Sequence, residues 1–182
     1  MKGREALKYI EKNLEAGKTK KEIYEELTGK VIFRTDLLNF LAMVPDYKER
    51  MKYQKINMIL FSLLVVTLTL KVIESFFLFI SISKFMLPMV LLISLIPIGF
   101  AIMVWNFRGN FYRPLALLGI AGILQGFSAT NILSNPTAGF MLGYLLSIAI
   151  IILAFFIGYK VFPYYGFWGM LKEDEFKKHL SA

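Results

Sequence analysis

Four long apolar segments constrain the fold of this 182-residue chain more than any other feature of its sequence. They cover residues 56–77, 85–105, 115–133 and 138–159. A helix needs about 20 apolar residues to cross the roughly 30 Å hydrocarbon layer of a bilayer, and each segment is close to that length. The connections between the segments are short, which makes successive helices antiparallel neighbours. The sequence therefore predicts an all-α fold, a polytopic membrane protein with four antiparallel transmembrane helices in the lipid bilayer.

Charged residues are concentrated outside these segments. Thirteen of the 21 Lys and Arg residues and nine of the 13 Asp and Glu residues fall in residues 1–55. Arg108 and Arg113 lie in the middle connection and four lysines follow residue 159, whereas the opposite ends of the segments carry few positive charges. The positive-inside rule then places both termini in the cytoplasm. We expect a multi-pass protein of the cytoplasmic (inner) membrane.

The same distribution divides the chain into three parts. Residues 1–52 are expected to form a small cytoplasmic helical domain, residues 53–160 the four-helix transmembrane domain, and residues 161–182 a cytoplasmic C-terminal tail that is first aromatic and then charged. The charged end of the tail, residues 171–180, is expected to form a short helix in solvent. Its aromatic part is expected to lie along the inner membrane interface, as is typical of Tyr and Trp. These aromatic residues are Tyr164, Tyr165, Phe167 and Trp168.

The N-terminal domain carries signals for three short helices. The first covers residues 3–17, where apolar residues spaced by three and four share one face. A capping box of Thr19 and Glu22 starts the second. The third covers residues 36–44, and a further helix from Asp46 continues into the first apolar segment.

This order of helices resembles a helix-turn-helix arrangement, which raises the question of DNA binding. Reading base edges requires polar side chains on the third helix. The stretch 34–44 around that helix supplies Arg34 and Asn39 and is otherwise mostly Leu, Phe and Met, which is typical of a core or docking face. We therefore favour a module in residues 1–52 that binds a soluble cytoplasmic protein, and we expect no nucleic-acid partner.

Small residues recur in the third and fourth apolar segments at spacings that let helix backbones approach closely. Each segment contains a GxxxG pair. We favour packing of these two helices within one chain over a contact between two copies. The residues expected to pack are Gly119, Gly122, Gly126, Gly139, Gly143 and Ser147.

The second apolar segment contains Pro97 near its middle, followed by Gly99. Proline removes a backbone hydrogen bond and kinks a helix, and a nearby glycine adds flexibility. These two residues are a candidate hinge, although a kink more often only shapes a helix.

Four polar residues form a candidate pore or polar path: Lys71, Glu74, Gln125 and Asn131. A polar side chain is costly in hydrocarbon, so each should bond another helix or face water. Lys71 and Glu74 are three residues apart and share a helix face. Glu74 lies about 27 Å along a helix that starts at Ile56, which favours the outer boundary of the membrane over its centre. In an oligomer, the same pair could instead form a ring at the outer mouth of a pore.

The first segment is longer than one upright membrane span. From Ile56 to Ser83 it would measure about 42 Å as a helix, against about 30 Å of hydrocarbon. We expect either a tilted or projecting helix, or residues 75–83 folded over along the interface.

The sequence gives no indication of catalysis, of a cofactor or of a bound metal. The chain has no cysteine and one histidine, His179, so neither a thiolate site nor a histidine cluster can form. Motifs for nucleotide binding and for a serine nucleophile are missing. We therefore expect no catalytic residue, no cofactor-binding residue and no metal ligand, and a protein that is not an enzyme.

Three functions are compatible with these observations. The favoured one is a non-enzymatic integral membrane protein, a homo-oligomeric scaffold or partner-binding component that acts through its cytoplasmic head. The alternative is an oligomeric ion channel or small-solute transporter, with a polar path through Lys71, Glu74, Gln125 and Asn131. A membrane-tethered DNA-binding regulator is the least favoured.

Overall fold

The computed structural model describes residues 3–28, 30, 34–82, 87–129 and 138–181. Every regular element in these ranges is helical, apart from one isolated β-bridge between Tyr165 and Leu171. The predicted all-α class is therefore confirmed. In chain order the α-helices are α1 Gly3–Glu15, α2 Lys20–Leu27, α3 Arg34–Met43, α4 Tyr47–Ile82, α5 Leu87–Trp105, α6 Tyr112–Ala129, α7 Ala138–Lys160 and α8 Glu173–Ser181, with a 3-10 turn at Gly109–Phe111 before α6.

Local sequence signals set the ends of the first two helices. Gly17 has a φ of +89°, a left-handed conformation that glycine adopts without steric cost, and it directs the chain from α1 towards α2. The predicted capping box is confirmed at α2: the Glu22 N–H donates to Thr19 Oγ1 at 3.3 Å, and the Thr19 N–H donates to Glu22 Oε2 at 2.9 Å. Two otherwise unsatisfied backbone donors are thereby paired.

The three short helices pack on one another through the apolar faces that their spacing indicates. The apolar residues of α3 belong to this core, so they are not an exposed docking face. The buried side chains are Ala6, Ile10, Leu14, Ile23, Leu27, Leu37, Leu38, Leu41 and Ala42.

The C-terminal helix differs from the expectation of a short helix in solvent. α8 packs on α2 and α3, and both of its apolar residues, Phe176 and Leu180, are buried. The two residues are four apart and so share one helix face, which completes the core of the N-terminal helices. We call α1, α2, α3 and α8 together the head.

Helix α4 runs without interruption from the head to Ile82. Its 36 residues correspond to about 54 Å of helix, well beyond the thickness of a hydrocarbon layer. The interpretation in which residues 75–83 fold over is therefore wrong, because the backbone remains helical through residue 82. The other interpretation, a tilted or projecting helix, stays a prediction.

The four longest helices pack side by side in the spatial order α5, α4, α7, α6. Among the described residues, two helical stretches are long and apolar enough to cross a membrane, Tyr47–Leu70 and Met141–Lys160. The stretch Ile96–Trp105 of α5 is apolar but shorter. Four transmembrane helices therefore remain a prediction.

Candidate functional site between the head and the long helices

The predicted polar path falls on residues that the structure does not describe. Helix α4 passes through Lys71 and Glu74, but their side chains and that of Gln125 lie outside the described part, as does all of Asn131. The same is true of the surroundings of Gly126 and Gly139. The roles given to these residues remain predictions.

A cavity of about 140 Å³ lies among the four long helices. Its two hydroxyl groups donate within their own helices, Thr67 Oγ1 to the Leu63 carbonyl at 2.8 Å and Ser147 Oγ to the Gly143 carbonyl at 2.9 Å. The cavity is therefore largely apolar and suits a hydrocarbon better than an ion. The candidate hinge residue Pro97 lines it. The lining residues are Leu64, Thr67, Leu68, Ile96, Pro97, Phe100, Leu115, Leu118, Gly119, Ser147 and Ile150.

The small residues of α6 and α7 do not behave alike. A Cβ atom added at Gly119 would come within 2.7 Å of Ile151 Cγ1, so this glycine permits the close approach of α6 and α7. A Cβ added at Gly122 or Gly143 would meet no described atom within 4 Å, nor would one added at Gly99. Close packing within one chain is therefore seen at Gly119, and for Gly122 and Gly143 it stays a prediction.

A buried hydrogen-bond network joins three long helices at the end nearest the head. The Asn57 side-chain amide of α4 donates to the Val104 carbonyl of α5 at 2.9 Å, and Tyr112 Oη of α6 donates to Asn57 Oδ1 at 2.6 Å. Asn57 and Tyr112 are both buried. Sequence reasoning missed this network, although an amide at the start of an apolar segment is a signal that a partner is required.

Arg113 closes the adjoining end of α7. Its side chain is only 4% exposed, and Nη2 donates to the carbonyls of Gly158, Phe162 and Pro163 at 3.3, 3.3 and 3.4 Å. The last carbonyls of a helix have no partner within the helix, and the helix dipole favours a cation there. The guanidinium also lies 4.3 Å from the centre of the Tyr159 ring. Arg113 therefore lies in the first turn of α6 and not in the connection predicted from the sequence, and it caps the end of α7.

The connection between α5 and α6 packs against residues 161–172, which join α7 to α8 and are called the C-terminal segment below. A Cβ at Gly109 would lie 2.2 Å from Phe162 Cδ1, and one at Gly169 would lie 2.5 Å from the Asn110 carbonyl oxygen. Gly169 also has a φ of +76°. Tyr165 is buried and its Oη lies 3.5 Å from the Asn39 carbonyl oxygen, so the expectation that Tyr165 lies along a membrane interface is wrong.

Two ion pairs hold the head against the long helices. Arg108, in the α5–α6 connection, pairs with Glu11 of α1 at 2.6 Å, and the two side chains are 15% and 31% exposed. Arg50 of α4 pairs with Glu15 of α1 at 2.9 Å in a more exposed setting. The Arg108 pair is partly shielded from water, which strengthens the attraction between the charges but also raises the cost of removing them from water.

The turn of the C-terminal segment exposes large apolar side chains. Trp168 and Met170 are each 72% exposed, while Phe167 stacks on Phe155 of α7 with ring centres 6.3 Å apart. This turn therefore lies beside the end of α7. Exposed Trp beside the end of an apolar helix is typical of a membrane–water interface.

The head contains an open basic pocket of about 540 Å³ between the α1–α2 turn, the start of α4 and the end of α8. Lys20 is buried there, with Nζ 3.8 Å from Asp46 Oδ2 and 5.8 Å from the centre of the Phe176 ring. Burial lowers the pKa of Lys20, and the negative charge of Asp46 opposes that shift. The lining residues are Leu14, Gly17, Lys18, Thr19, Lys20, Lys21, Asp46, Tyr47, Lys48 and Leu180.

Within the described ranges, no group of three or more His, Asp or Glu residues is placed to hold a metal ion. The head, the α5–α6 connection and the C-terminal segment instead form a packed junction. A basic pocket lies between the head and the start of α4. Comparison of the chain with protein-family models, with curated proteins and with solved structures finds no match.

Proposed function

We propose that this chain is a polytopic membrane protein in which α4, α5, α6 and α7 cross the bilayer, with both termini in the cytoplasm. It acts as a non-enzymatic scaffold or partner-binding component through its head. The observation that carries this proposal is the gathering of the head, the α5–α6 connection and the C-terminal segment at one end of the long helices. Four antiparallel spans require that gathering, because the chain returns to its starting side after every second span.

The contacts occur at matching levels along the helices, which supports the same topology. Near the head, Asn57 lies beside Val104, and Arg113 beside Gly158. Farther along, residues of all four helices meet around the apolar cavity. Helix α5 is thus antiparallel to α4, and α7 is antiparallel to α6.

Cysteine labelling tests the topology directly, because the natural chain has no cysteine. We expect Lys12→Cys on α1 and Asp174→Cys on α8 to react with a membrane-impermeant maleimide only after the cells are permeabilised. Ser134→Cys, in the connection predicted to lie outside, should react in intact cells. Labelling of Asp174→Cys in intact cells would overturn the proposed placement of the C-terminus.

A homo-oligomer is part of this proposal, and the open glycine of α6 supports it. Gly122 is exposed and faces no described atom within 4 Å, so it leaves space for a second copy to approach. In native membranes we expect Gly122→Cys to form disulfide-linked dimers on mild oxidation. The matched control is Ala116→Cys on the same helix, which is fully buried within the chain and should not cross-link. Equal yields from the two variants, or none from either, would contradict a contact through this face.

The channel or transporter alternative gains no support from the described residues. The space enclosed by the four helices is apolar, and the hydroxyls that line it donate to their own helices. A polar path through Lys71, Glu74, Gln125 and Asn131 in an oligomer stays a prediction.

A further inference from the structure

We propose that the basic pocket of the head binds a phosphate-bearing small molecule. The site is formed by the head together with the start of α4, and binding of its ligand does not require the long helices to cross a membrane. Its volume of about 540 Å³ lies within the range of about 300–1,000 Å³ that is usual for ligand pockets.

The charges around the pocket indicate an anion. Four lysines line it, Lys18, Lys20, Lys21 and Lys48, against one carboxylate, Asp46. Lys18 is already paired with Glu26, and Lys20 with Asp46 at 3.8 Å. Lys21 and Lys48 are exposed, and no carboxylate of the described residues pairs with either. Two ammonium groups therefore remain for a multiply charged anion, and a phosphate group carries a charge of about −1.5 to −2 near neutral pH.

The buried lysine strengthens the case. Lys20 Nζ lies too far from Asp46 for a short hydrogen bond, so its charge is buried with incomplete compensation. An anion bound beside Lys20 would supply the missing negative charge. The first turn of α2 is closed by its own capping box, so the lysine side chains rather than backbone N–H groups would make the contacts.

The rest of the lining suits a ligand that also has an apolar or aromatic part. Leu14 and Leu180 are buried at the base of the pocket, and the Tyr47 ring is exposed at its edge. A tyrosine ring can stack on a planar group, and the leucines offer apolar surface to the same part of the ligand. An ion such as phosphate alone would fill only part of this volume.

Phosphate could come from a soluble molecule or from a lipid headgroup, and the position of the pocket along α4 favours the soluble source. Lys48 precedes Ile56, the start of the first apolar segment, by eight residues, which is about 12 Å of helix. Headgroups occupy only about 5–8 Å on each side of the hydrocarbon layer. This preference for a source rests on the proposed membrane placement, whereas the binding of phosphate does not.

The test is a titration of the full chain in detergent with potassium phosphate, compared with potassium chloride at the same ionic strength. We expect phosphate to raise the thermal unfolding midpoint saturably, because a ligand of the native state stabilises it. In the double variant Lys21→Gln, Lys48→Gln the affinity for phosphate should fall about tenfold or more. The matched control, Lys8→Gln, Lys12→Gln, removes two exposed lysines of α1 and should bind phosphate within about twofold of the natural chain.

Three results decide the proposal and the source of the phosphate. Equal midpoints in phosphate and chloride, or equal losses in the two double variants, would overturn the pocket. A soluble ligand would be supported if the affinity for phosphate were the same in phosphatidylcholine nanodiscs and in nanodiscs that also contain phosphatidylglycerol. A headgroup in the same pocket would be supported if phosphatidylglycerol nanodiscs lowered the affinity of the natural chain for phosphate. The variant Lys21→Gln, Lys48→Gln should then show no such loss.

Discussion

Truncation of Phe176 to alanine is expected to lower the free energy of unfolding of the head by about 3–5 kcal/mol. The ring is fully buried where α8 packs on α2 and α3. It lies beside Lys20 and the Tyr164 ring, whose centre is 5.1 Å away. Its loss removes the apolar contact area and leaves a cavity that the short helices cannot close without moving. Denaturant unfolding followed by circular dichroism, together with the rate of proteolysis within residues 173–181, measures the effect.

The matched control for Phe176→Ala is Phe167→Ala. Phe167 lies shortly before α8 and is 47% exposed, so its truncation should lower the free energy of unfolding by about 1 kcal/mol or less. If the two alanine variants were equally stable and equally resistant to proteolysis, α8 would not be part of the core of the head.

Alanine in place of Gly169 is expected to cost about 2–5 kcal/mol. A side chain at a φ of +76° costs about 1–2 kcal/mol in itself. The new Cβ would also lie 2.5 Å from the Asn110 carbonyl oxygen and 2.8 Å from Pro114 Cγ, and such overpacking adds about 1–3 kcal/mol. The thermal unfolding midpoint of the full chain is the measurement.

Gly17→Ala separates the two causes. Gly17 has a similar φ of +89°, but a Cβ there would meet no described atom within 4 Å. This variant should therefore show only the backbone cost, about 1–2 kcal/mol. A Gly169→Ala variant no less stable than Gly17→Ala would mean that the C-terminal segment does not pack closely on the start of α6.

The parts of the fold that depend on local signals were predictable from the sequence. The capping box of Thr19 and Glu22 formed as its spacing indicates, since each partner lies within one helical turn of the other. The apolar spacing of α1 similarly identifies Ile10 and Leu14 as core. The length of the first apolar segment indicated either one long helix, tilted or projecting, or a fold-over of residues 75–83, and α4 is one continuous helix to Ile82.

The contacts that the sequence did not predict join residues far apart in the chain. Phe176 and Leu180 have the spacing of one helix face, a signal that was present, but the surface that covers them lies on α2 and α3. In the sequence Arg113 resembles an ordinary positive charge of a connection, whereas in the structure it begins α6 and the position of the end of α7 makes it a cap. The spacing of Gly119 and Gly122 is equally compatible with either neighbour, because a period alone does not say which face of a helix meets which partner.

The docking of α8 on α2 and α3 has a consequence for the order of synthesis. The ribosome makes α1, α2 and α3 first and α8 last, with all four long helices in between. Domains normally fold as they emerge, starting from the N-terminus. Here the head acquires Phe176 and Leu180 only after α4, α5, α6 and α7 have been synthesised, so a chain that stops within α5, α6 or α7 exposes the unfinished core of the head to proteases. The head thereby distinguishes a chain that has reached α8 from one that stops before it.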